Sequence, residues 1–139
     1  MDTLFDALHA SAHIVVGMYL GVEQICRDTG GVLTEPVDDH EARRLVIWAL
    51  APVYAELLAF THDDEPEPVA LSVAASHEGW ALELCARRGL DVNELGASTI
   101  RVVQTVFPQI RQAAGLMAEG KLDDDALLEL EHELLSEAA

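Results

Sequence analysis

Two histidines four residues apart, His9 and His13, stand in the stretch ALHASAHIVVGMYLG. On a helix, residues at i and i+4 lie on one face. With Asp6 they make a carboxylate and two imidazoles within two turns, a set able to hold Zn²⁺. Gly17 and Gly21 continue the same four-residue step. Each glycine costs up to about 1 kcal/mol against alanine inside a helix, so two on one stripe suit the close approach of another chain. His77 and Glu78 are neighbours in AASHEGWALE. As a buried acid–base pair they are the candidate catalytic residues of an enzyme with a cleft between helices. Glu129-x-x-His132 is a single match to a motif that a di-iron bundle needs twice.

Two acidic knots also hold a histidine, DDHE (Asp38 to Glu41) and HDDE (His62 to Glu65). About 33 Å of helix separates them at 1.5 Å per residue, so one cation cannot be shared between them. Each lacks the spacing and glycine of a calcium loop. They read as helix caps and connectors. The sequence contains no phosphate loop, no dinucleotide fingerprint, no HExxH and no G-x-S-x-G. No cofactor is implied.

The elements that must position these residues are helices. Apolar residues recur at helical spacing and no stretch alternates with period two for long. Five helices are predicted: Thr3 to Arg27, stopped by Gly30 and Gly31; His40 to Thr61, capped by Asp38 or Asp39; Pro68 to Arg88, closed by Gly89; a fourth behind Asp91, with Glu94 at capping-box spacing, ending near Glu119 and Gly120; and a short fifth over DDDALLELEHELLSE. The expected fold is all-α, an antiparallel bundle of four long helices over 1–120. A short acidic amphipathic helix over 121–139 packs on the bundle or on a partner subunit.

A wheel at 100° per residue puts Leu4, Phe5, Leu8, Val15, Val16, Met18, Tyr19, Val22 and Cys26 on the apolar arc of the first helix. Asp6, His9, His13, Gly17 and Gly21 fall on the polar side, which predicts a surface cluster. The second helix is apolar all round, with Ile47, Leu50, Val53, Tyr54, Leu57 and Leu58 on one face. Ala51, Ala55 and Ala59, beside Trp48, form a face of small residues that suits a homodimer contact. The fourth helix carries Leu95, Val102, Val103, Val106, Ile110, Ala113 and Met117 on one side, with Pro108 on the polar side. Leu127, Leu128, Leu130, Leu134 and Leu135 of the fifth must cover the bundle or a neighbouring subunit.

Composition sets the electrostatics. Twenty-five acids face eight bases, of which one is lysine, for a net charge of −17. Such a surface repels nucleic acid and anionic membranes and attracts basic partners. The segment Leu45 to Phe60 contains Glu56 and Pro52 and is short of the roughly twenty apolar residues of a membrane span, so it is read as a buried helix. Cys26 and Cys85 are far apart and lie in apolar stretches. They are read as buried thiols of a reducing cytoplasm, with a single disulfide between helices as the alternative. The acidic start, MDTLFDA, is unlike a secretory signal.

Together these features favour a small cytoplasmic binding protein, an adaptor or inhibitor that docks on a basic partner. One version presents carboxylates where nucleic acid phosphates would sit. The competing classes are a metal or small-ligand bundle using Asp6, His9 and His13, and an enzyme using His77 and Glu78.

Overall fold

The computed structural model describes residues 3–22, 36, 38–60 and 77–138. Five helices occur among them: α1 (Thr3–Leu20), α2 (Asp39–Phe60), α3 (His77–Arg88), α4 (Val92–Ala118) and α5 (Asp124–Ala138). The chain is all-helical over these residues. α1, α2 and α4 pack on one another in every pairing, α3 packs against α2, and α5 lies across α1 and α4. No helix among the described residues is long and apolar enough to cross a membrane.

The starts follow local chemistry. Asp38 Oδ1 accepts from the Glu41 amide at 2.8 Å, capping α2. Asp91 Oδ1 accepts from Asn93 and Glu94 amides, capping α4. Asp123 Oδ1 takes the Ala126 amide at 2.9 Å, capping α5. Each carboxylate satisfies a donor that the first helical turn leaves free and complements the positive end of the helix dipole. Gly89 and Gly120 close α3 and α4 with positive φ, as expected.

α1 ends earlier than its composition predicts. The expected helix runs to Arg27, but Gly21 adopts φ +75 and stops it. The Val22 amide donates to the Gly17 carbonyl at 3.0 Å and the Gly21 amide to Met18 at 3.3 Å. That pair of bonds is a Schellman motif, and Val22 tucks fully into the core behind it. Gly21 is therefore a helix stop. A Cβ there would meet only ordinary contact, 3.9 Å from an Arg44 nitrogen, so backbone strain decides the effect of substitution. Gly21→Ala is expected to destabilise by about 1–2 kcal/mol, the cost of a left-handed L-residue. Urea denaturation measures it, and no loss would mean that α1 tolerates another ending.

Four helix ends meet at one end of the molecule. Arg44 of α2 donates to the Leu20 carbonyl at the close of α1, at 3.2 Å. Arg43 of α2 pairs with Glu94 at the opening of α4. Arg88, at the close of α3, bonds Asp39 Oδ1 at 2.9 Å and the Pro36 carbonyl at 2.7 Å. α1 has no basic residue of its own in its last turn; Arg44 supplies the positive charge that its exposed carbonyls favour.

The core is aliphatic. Leu45, Leu50 and Tyr54 of α2, Val15 and Val16 of α1, and Leu95, Val103, Val106 and Ile110 of α4 are all buried. The apolar face expected for α4 is the face that packs, with Val102 and Met117 at its margin. The helix runs unbroken through Pro108, whose ring is exposed on the opposite side.

Candidate functional site

The first candidate lies between α1 and α2. His9 Nδ1 is 3.3 Å from Glu56 Oε1. The His9 and His13 rings meet edge to face with centroids 5.1 Å apart. His13 in turn lies over Trp48, centroids 4.3 Å apart, and Trp48 Nε1 donates to the His13 carbonyl at 2.9 Å. The expected surface stripe is thus a seam facing α2. The reason is the central position of α1, which is covered by α2, α4 and α5 together. His9 is nearly half exposed at the edge of the seam, and its contact with Glu56 is an ion pair only when the imidazole carries a proton.

This arrangement holds two helices together. A neutral His9 can donate to Glu56, and Trp48 fills the groove beneath His13 while satisfying its own N–H. Asp6 belongs to α1, but its side chain lies outside the described residues. Among the described residues no group of three or more His, Cys, Asp or Glu is placed to hold a metal ion.

The small-residue stripe of α2 lies in the interior. Ala51 and Ala55 are fully buried and Trp48 nearly so, all within this one chain. Only Ala59 at the end of the stripe is exposed. Gly17 is also buried. The stripe of small residues is thus largely covered within this one chain, with Ala59 exposed at its end.

His77 and Glu78 are the first described residues of α3, and their side chains lie outside the described residues, as do the expected helix start at Pro68, Cys26 and the knot from His62 to Glu65. The other knot resolves into structural roles, with Asp38 capping α2 and Asp39 held by Arg88. Cys85 is a buried free thiol, so it takes no part in a disulfide. Burial first, and the Asp91 carboxylate second, push its pKa up. The folded chain therefore keeps the thiol proton at a pH where the unfolded chain loses it. That stabilisation is complete below the ordinary thiol range and is lost as pH rises through the raised folded value. A steeper alkaline loss of stability is expected in the natural chain than in Cys85→Ala. Equal slopes in denaturation curves across alkaline pH would contradict it.

The second candidate is the outer face of α5. Leu130 and Leu134 are buried against the bundle, whereas Leu128 and Leu135 stand 64% and 60% exposed. They are the large hydrophobic side chains most open to solvent among the described residues. A groove of about 590 Å³ lies at Leu128, lined by Leu128, Glu129, His132 and Glu133. The sequence requires the five leucines to cover something. At 100° per residue Leu128 and Leu135 fall about 20° apart and Leu130 and Leu134 about 40° apart, with the two pairs roughly 130° from each other, and that division is the signal which separates the inward pair from the outward one.

The charges divide in the same way. Arg43, Arg44 and Arg88 hold helix ends together, Arg87 pairs with Glu83, and Lys121 with Glu119, while Arg101 and Arg111 of α4 are exposed. From Leu122 to the end of the chain there are seven acids and no lysine or arginine. Asp124, Asp125, Glu129 and Glu133 are exposed.

No protein-family model, curated protein or solved structure matches this chain.

Proposed function

We propose that this chain is an acidic helical binding protein, an adaptor or inhibitor, that recognises a basic partner. One observation carries the reading. Arg43, Arg44 and Arg88 are committed to contacts between segments of the chain, while the carboxylates Asp124, Asp125, Glu129 and Glu133 of α5 stand exposed around two exposed leucines. A field of one sign steers a partner of the opposite sign, and burial of the leucines then holds it. The scaffold that goes with this reading is an antiparallel four-helix bundle with α5 laid across it. Its support is the meeting of the α1 and α3 carboxyl ends with the α2 and α4 amino ends.

The test is binding to a panel of purified proteins graded from strongly basic to strongly acidic. Association is expected to rise with basic charge and to weaken steeply as the screening length falls from about 30 Å at 0.01 M salt to about 8 Å at 0.15 M. Affinity that is flat in salt, or absent for every basic member at low salt, would overturn the reading. In the version that mimics nucleic acid, the chain displaces DNA from a basic DNA-binding member of the panel.

A further inference from the structure

We infer that the outer face of α5 is the docking surface for an amphipathic helix with lysine- or arginine-rich flanks; this rests on the reading of a basic partner. Leu128, His132 and Leu135 stand at i, i+4 and i+7, so they form one stripe along the helix. That is the spacing at which a second helix lays its own apolar residues. The groove beside the stripe has carboxylates in its wall, from Glu129 and Glu133.

The charges select the occupant. A second copy of this chain would place α5 against α5 and bring carboxylates together on both sides of the leucines. Residues 122–139 hold no lysine or arginine to offset them, and such like-charge juxtaposition disfavours the pairing. An anionic membrane is repelled for the same reason. A helix with basic flanks instead puts ammonium or guanidinium groups over Glu129 and Glu133 and its apolar stripe over the leucines. α5 needs little rearrangement to receive it, because Leu130 and Leu134 already fix the helix on the bundle.

The probe is a synthetic Leu/Lys peptide of about 15 residues, long enough to lie along α5 at 1.5 Å per residue. A scrambled peptide of the same composition keeps the charge and loses the apolar stripe. Fluorescence anisotropy compares both on the natural chain and on Leu128→Ser/Leu135→Ser, whose changes are at exposed sites. The amphipathic peptide is expected to bind about tenfold or more tightly than the scrambled one, and the double variant to remove that advantage. Circular dichroism of the variant confirms that α5 is retained. Equal loss of both peptides in the variant, or no loss of either, overturns the docking site and leaves the charge-driven reading standing. Binding of neither peptide to the natural chain overturns both. Self-association abolished by the same two changes would identify a second copy as the occupant and overturn the assignment of a basic helix.

Discussion

Trp48→Ala is expected to destabilise the chain by about 3–5 kcal/mol, the range for removing a large buried aromatic. Domains of this size are stable by only about 5–15 kcal/mol, so the variant is expected to unfold at much lower denaturant. The size follows from three losses at one place. The indole is buried between α1 and α2, it supports the His13 ring, and its N–H satisfies the His13 carbonyl. Trp48→Phe keeps most of the packing and loses the N–H donor, at a smaller cost of about 1 kcal/mol. The second tryptophan, Trp80, remains as a fluorescence probe in both variants. An alanine variant that loses under about 1 kcal/mol would show that the α1–α2 seam does not hold the bundle together.

The second large effect is a contrast within α5. Leu130→Ala and Leu134→Ala are each expected to cost about 2–5 kcal/mol, because both side chains are removed from water against the bundle. Leu128→Ala and Leu135→Ala, only a few positions away, are expected to change stability by no more than about 0.5 kcal/mol. Chemical denaturation of the four variants measures the difference. Comparable losses in all four would mean that the outer leucines are covered in the folded molecule, and the exposed face of α5 would not exist. A near-zero loss at Leu130 and Leu134 would mean that α5 is not anchored on the bundle.

The caps and the α4 face were legible because they depend on neighbours in sequence. Asp38 and Asp91 bond amides three or fewer residues ahead, and the apolar positions of α4 share one side of a regular helix. The α1–α2 seam was not legible. His9 finds Glu56 and His13 finds Trp48 across 47 and 35 residues, and only the packing of two helices brings such pairs together. A wheel puts both histidines on the polar side of the helix, which implies a solvent-facing stripe. A further sign was present: no acid, lysine or arginine occurs from Ala7 to Val22, which marks a helix covered by neighbours. Gly17 and Gly21 form a stripe on the wheel because four-residue spacing implies a continuing helix. A glycine followed by a buried valine also reads as a helix stop, and the positive φ decides for that. The alanines of α2 allow close approach, as their size implies, but spacing alone does not distinguish a helix of the same chain from one of a partner.

A basic amphipathic helix on the outer face of α5 would perturb that face alone. The most direct measurement is an NMR titration of the isotope-labelled chain with the Leu/Lys peptide, followed through backbone amides at low salt. The predicted result is a continuous set of shifts at Leu128, Glu129, His132, Glu133 and Leu135, which fades as salt is added. Shifts centred on the α1–α2 seam at His9 and Trp48, or scattered over acidic residues of every helix, would contradict it.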